Sequence, residues 1–227
     1  MKKILFLSTL IVASFSAQKS HADLLAGWDF ASLAVAPNTP SSIPAVVGSG
    51  TLDVSAFAST ASNPELTSFG GSTLNAFTGG EAVTGTALAL ANSSANGKSM
   101  IFSFSTFGYE DLILSFATRG TGTGFNTHAW SWSTDGVSYT SIVGNTAVNT
   151  SSFEIKTLDL SAISGLDNAP TAYLMLTLSG ATSASGNNRL DNIQLNASPV
   201  VVPEPSSMAI VGGFGVLGLF MAARRRQ

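Results

Sequence analysis

Apolar and polar residues alternate with a period of two through much of the chain, the period that puts successive side chains on opposite faces of a strand. In 100–106, Met100, Phe102 and Phe104 share one face while Ser103 and Ser105 take the other. Segment 111–118 repeats the pattern with Leu112, Leu114 and Phe116, and 171–178 does so with Ala172, Leu174, Leu176 and Leu178. Clusters of Gly, Asn and Ser set off further predicted strands at 24–30, 51–57, 87–91, 128–133, 137–143, 153–160 and 189–196. Thr134-Asp135-Gly136 lies between two of these, and Gly136 can take the positive φ that a tight hairpin requires. Region 31–63 alternates poorly and holds Pro37, Pro40 and Pro44, so it predicts a long loop around the 51–57 strand. No stretch sustains a helical period; 161–165 allows a single turn. Many short strands without helices predict an all-β fold, an antiparallel, jelly-roll-like sandwich spanning 23–196.

Both ends depart from this pattern. Lys2-Lys3 precedes a twelve-residue apolar run, 4–15, and Ser20-His21-Ala22 follows with small residues at the −3 and −1 positions of a cleavage site. Twelve residues are too few to span a bilayer, so 1–22 predicts a secretory signal peptide cut between Ala22 and Asp23. At the other end, a short extended linker (197–202) leads to Pro203-Glu204-Pro205, then to eighteen uncharged residues (206–223), then to Arg224-Arg225-Arg226. As a helix, eighteen residues reach ~27 Å, close to the ~30 Å hydrocarbon core of a bilayer. The two prolines hold their neighbours extended outside such a helix, and the arginines would stay on the cytoplasmic side.

Tripeptide, span and arginine cluster, in that order, resemble the PEP-CTERM sorting signal of Gram-negative bacteria. The resemblance covers 203–227, about a ninth of the chain. It implies that Pro203, Glu204 and Pro205 mark where an exosortase-type membrane protease processes the protein. It further implies transient anchoring in the inner membrane before delivery to the cell surface or extracellular matrix. An ordinary C-terminal membrane anchor is the competing reading.

Charge and composition narrow the function of what lies between. From 23 to 202 there are four basic residues (Lys98, Arg119, Lys156, Arg189) against twelve acidic ones, a balance of −8, although the whole chain carries −3. That leaves no electrostatic footprint for nucleic acid. With no cysteine, the exported domain must be held together by burial alone. A zinc site lacks its Cys and His, a nucleophilic triad would have only His128 as base, and no Gly-x-Ser-x-Gly elbow occurs. Gly212-Gly213-Phe214-Gly215 falls inside the predicted span and offers no nucleotide loop. Paired carboxylates could make a glycosidase, but none of the twelve stands in a motif.

Two local resemblances bear on the domain. Residues 132–139, Trp-Ser-Thr-Asp-Gly-Val-Ser-Tyr, resemble the Ser-x-Asp-Gly hairpin of galactose-binding-like domains. Residues 189–195, Arg-Leu-Asp-Asn-Ile-Gln-Leu, resemble the closing strand of carbohydrate-binding-module jelly rolls. In some of those modules the first and last strands carry structural calcium, which here points to Asp29 and Asp191; turn and strand-end hydrogen bonds are the alternative role. Trp130 and Trp132, two apart on one strand, could form a platform for sugar rings extended by Tyr139, or could fill the core. Loops 119–126 and 179–189 are rich in Gly, Thr, Ser and Asn and suit binding. The reading that results is an exported, non-catalytic surface or matrix protein, structural or associated with exopolysaccharide. Its alternatives are a carbohydrate-binding module and a polysaccharide-acting enzyme.

Overall fold

The computed structural model describes residues 22–80 and 85–201. Residues 1–21 of the predicted signal peptide lie outside them, as do the tripeptide, the span and the arginines of 203–227. Among the described residues no helix is long and apolar enough to cross a membrane.

Two antiparallel sheets form a sandwich. The first runs β11 (Glu154–Asp159), β8 (Tyr109–Gly120), β13 (Asn187–Pro199), β1 (Asp23–Trp28), β3 (Val47–Gly48), with β6 (Thr86–Ala91) and β5 (Leu66–Gly70) branching from β13. The second runs β10 (Thr140–Ile142), β9 (Thr127–Ser133), β12 (Ala172–Ser179), β7 (Ser99–Phe104), β4 (Gly50–Asp53), β2 (Ser42–Pro44). Apart from the strands there are 3₁₀ turns at Ser93–Ala95 and Ser164–Leu166, the second close to the predicted single turn.

Strand β13 organises the first sheet. One side pairs with β8 along most of its length, while the other pairs first with β6 (187–190) and then with β1 (193–197). The change of partner falls at a bulge where Asn192 takes φ 47°, a conformation Asn tolerates better than most residues.

The alternation predicted for β7, β8 and β12 holds. Met100, Phe102, Leu112, Leu114, Phe116, Leu174, Leu176 and Leu178 all point inward and are buried. A chain of four aromatic rings crosses the interior from sheet to sheet. Trp28 meets Phe102 edge-on at 5.3 Å, Phe102 stacks on Trp130 at 6.1 Å, and Trp130 meets Phe116 at 5.8 Å.

Three expectations need correction. The loop 31–63 holds β2, β3 and β4 rather than one strand, because runs of two to four residues are too short to show alternation. Pro44 can end β2 because this strand lies at the edge of its sheet. β5 was not predicted at all, since only its pairing with β6 defines it. The linker is shorter than 197–202: Ala197 to Pro199 belong to β13, and Ala197 is fully buried.

Candidate functional site

β9 places the two tryptophans. Trp130 is 2% exposed, sits in the aromatic chain, and donates from Nε1 to Thr146 Oγ1 at 2.9 Å. Trp132 is half-buried and packs on the core, with Gly165 of the 3₁₀ turn so close that an added Cβ would fall 2.4 Å from its ring. Tyr139 stands apart from both. It lies beside Tyr173 of β12, on the outside of the six-stranded sheet, where burial and the neighbouring Tyr173 and Asp135 push its hydroxyl up. Gly136 packs on the same Tyr173 ring. Sequence reasoning overlooked Tyr173, which the β12–β9 register sets opposite Ser133.

The hairpin before Tyr139 is held by side chains. Asp135 Oδ1 accepts from the N–H groups of Val137 and Ser138, both at 2.8 Å, and from Ser133 Oγ at 2.7 Å. Those bonds hold the Asp135 carboxyl down, to about 2. β10 is shorter than the predicted 137–143, for Val137 and Val143 are exposed loop residues.

His128 is fully buried. Nδ1 lies 3.3 Å from Thr146 Oγ1 and Nε2 3.4 Å from Asn188 Nδ2. Burial depresses its pKa to about 4, so the ring is neutral at ordinary pH. Asn188 accepts from the Phe125 N–H at 2.7 Å and donates to the Phe125 carbonyl at 2.9 Å, tying the network to loop 119–126. That loop and 179–189 are knit together as well: Thr121 N–H donates to the Asn187 carbonyl and Thr182 N–H to the Thr123 carbonyl.

Asp29 lies near enough to Asp191 for its charge to act on it. Burial raises Asp191 to about 7, against the pull of its hydrogen bonds, and the Asp29 charge adds to the rise. Asp191 accepts from Ser72 N–H at 2.7 Å and from Asn192 N–H at 2.9 Å, and Asp29 accepts from Ala31 N–H at 3.2 Å. The loop after β5 lies across this face, held by Asn192 Nδ2 on the Ser72 and Leu74 carbonyls and by Gln194 Nε2 on the Asn75 carbonyl. Hard carboxylate oxygens suit calcium in kind. In number the pair supplies two groups toward the six to eight oxygens calcium takes, and among the described residues no third Asp, Glu, His or Cys joins them.

A cavity of about 310 Å³ opens beside Asp29, lined mainly by Trp28, Phe30, Leu33, Ile43 and Val46. Across its wall Trp28 donates from Nε1 to the Ile43 carbonyl at 3.1 Å. Most of its wall comes from the poorly patterned 31–46 stretch, so no sequence signal announced it.

Residues 201–226 match the family model of the PEP-CTERM protein-sorting motif. The motif marks an exported protein with a C-terminal membrane-anchoring sorting signal, and it implies processing by an exosortase, a membrane protein. No curated protein matches the chain. Among solved structures, the chain is similar to the CBM22-1 xylan-binding domain of Paenibacillus barcinonensis Xyn10C, at 12% identity and TM-score 0.41, over 81% of this chain and 100% of that one. It is also similar to TmCBM61, solved with β-1,4-galactotriose, at 11% identity and TM-score 0.37, over 58% and 81%. The K3 cleaved adhesin domain of Lys-gingipain from Porphyromonas gingivalis is similar at 14% identity and TM-score 0.41, over 78% and 99%.

Proposed function

We propose that the chain is an exported, non-catalytic surface or extracellular-matrix protein of a Gram-negative bacterium whose jelly-roll-like sandwich associates with exopolysaccharide. The observation that carries this reading is the sorting motif at 201–226, joined almost directly to β13. Val200 N–H still donates to the Gly108 carbonyl at 2.9 Å, so the chain is tied to the sandwich up to one residue before the motif. Five residues from Pro199 to Glu204 reach at most ~18 Å. Processing at Pro203-Glu204-Pro205 therefore takes place close to the end of the sandwich where Phe107 is exposed. In this reading 1–22 is removed on export, 206–223 holds the chain transiently in the inner membrane, and Arg224, Arg225 and Arg226 fix its orientation.

Two observations support a non-catalytic domain. The ring of His128 is enclosed and already hydrogen-bonded, and Asp191 is enclosed beneath the loop after β5. The glycan association draws support from the Tyr139–Tyr173 pair on an outer face otherwise rich in Ser and Thr. The test is the mass of the protein recovered outside the cell, together with a glycan array. Protein ending near Pro203-Glu204-Pro205 and retained by a polysaccharide is the expected result. Recovery of wild-type protein still ending at Gln227 would overturn the sorting reading, and binding to no glycan would overturn the second half.

A further inference from the structure

We propose that Arg119 and Arg189, flanked by Phe153 and Phe69, bind the carboxylates of an acidic polysaccharide, a polyuronate, on the outer face of the seven-stranded sheet. The inference rests on the glycan-associated reading above and gives it a ligand class and a place.

Charge bookkeeping isolates these two residues. Of the four basic residues between 23 and 202, Lys98 is paired with Glu65 and Lys156 with Glu154. Among the described residues neither arginine forms an ion pair, although the segment around them carries −8. They stand directly opposite each other on β8 and β13. Like charges in that position destabilise a sheet unless something neutralises them. The nearest acid along β13, Asp191, is engaged with the Ser72 and Asn192 N–H groups instead.

Each guanidinium is held in place by a ring. Arg189 lies 4.9 Å over Phe69 and Arg119 lies 5.8 Å over Phe153. Arg189 Nη1 donates to the Gly70 carbonyl at 3.0 Å, while its Nε is enclosed and has no hydrogen-bond partner among the described residues. A guanidinium carries five N–H donors in a rigid fork that fits a carboxylate with two parallel bonds. With Arg189 Nη2 and the Arg119 fork given no protein hydrogen bond among the described residues, the two guanidiniums side by side form a receptor for neighbouring carboxylates. Phe69 and Ile155, 39% and 50% exposed on the same face, lie on β5 and β11 to either side of the arginines and give the sugar rings flanking the pair apolar surface. A sparse polyanion with one charge per ring suits two cations in an acidic domain. Duplex DNA, with one charge per ~1.7 Å, would be repelled by the remainder of the surface.

The test is affinity electrophoresis of the full-length protein in mild detergent, through gels containing polygalacturonate, its methyl ester, dextran sulfate or a neutral galactan. Polygalacturonate should retard the protein and its methyl ester should not. The R119Q/R189Q variant should lose at least about tenfold in affinity, since one hydrogen bond to a charged group accounts for roughly that factor. R119K/R189K, which keeps the charge and loses the fork, should fall between; it carries the test if the Gln pair fails to fold. Equal retention by the acid and its ester, or wild-type retention of R119Q/R189Q, would overturn the proposal. Strong retention by dextran sulfate with none by polygalacturonate would overturn the carboxylate and assign a sulfate. Neutral galactan retaining wild type and R119Q/R189Q alike, with no preference for polygalacturonate, would overturn this site and leave the glycan reading standing. Retention by none of the four would overturn both.

Discussion

Strands β9 and β13 hold central places in opposite sheets, and they spend their distinctive side chains in opposite directions. β9 sends His128, Trp130 and Trp132 toward the interior, where Thr146, Asn188, Phe102 and Phe116 receive them. β13 sends its apolar residues Leu190, Ile193 and Leu195 inward and places Arg189, Asp191 and Gln194 on the outer face, the last two bonded to the loop after β5. Residues conspicuous in a sequence thus hold the two sheets together in one strand and face outward in the other. Tryptophan invites a sugar-binding reading, but at β9 its large apolar area is worth most inside.

The sharpest way to break this contrast is at Trp130. Trp130→Ala removes two ring contacts and the bond to Thr146, so it should cost ~3–5 kcal/mol and leave the chain largely unfolded. Trp132→Ala, at a half-buried position, should cost less and yield folded protein. Urea denaturation of both variants is the check. A stable Trp130→Ala protein that had lost only glycan binding would return β9 to the functional column.

Acid should expose the second structural role of β9. The folded state holds His128 near 4, below its ordinary 6.5, so the neutral ring stabilises the fold fully above pH 6.5 and this support drains away as pH falls toward 4. Linkage puts the loss at up to roughly 3 kcal/mol. Asp191 acts in the opposite sense, because its folded pKa is raised and protonation favours the folded state as pH falls from about 7. The informative quantity is therefore the difference between wild type and His128→Gln, followed by thermal melts from pH 7 to pH 4. Wild type should lose its advantage over the variant across that window; a constant difference would mean the ring does not titrate with folding.

How much of this was legible in the sequence depends on what each element needed in order to form. β7, β8 and β12 announced themselves because one face of each is fully buried, which forces strict alternation. β2, β3 and β5 did not, because they are short and only a partner strand gives them register. That Asp29 follows a strand paired with the one carrying Asp191 could be anticipated as first strand beside last. The arginine pair could not: Arg119 and Arg189 lie 70 positions apart, and only the β8–β13 register, with its bulge at Asn192, sets them opposite each other. The aromatic chain was half visible, with Trp130 plain as a residue and its neighbours Phe102 and Phe116 unassigned until two sheets faced each other.

On the β13 side, the acid pair sets a smaller effect. If Asp29 and Asp191 take calcium, a concentration ten times the Kd should add about 1.4 kcal/mol to stability. Melting at pH 7.5 should rise with calcium and fall back with chelator, and Asp191→Asn should abolish the response. A melting temperature indifferent to calcium in wild type would leave the pair a hydrogen-bonded strap for the loop over β13.

The smallest effect expected is at Tyr139, and its sign is unusual. Among the described residues the hydroxyl is enclosed without a hydrogen-bond partner. Tyr139→Phe keeps the ring and removes that hydroxyl, and it should leave stability unchanged or raise it by up to about 1 kcal/mol. Tyr139→Ala removes the ring beside Tyr173 as well. If this outer pair contributes to glycan retention, the Phe variant should bind as wild type does while the Ala variant loses affinity, since stacking needs the ring and not the hydroxyl. Equal retention by all three proteins would remove the six-stranded sheet from the binding surface and leave the β13 face as the part of the sandwich that meets a ligand.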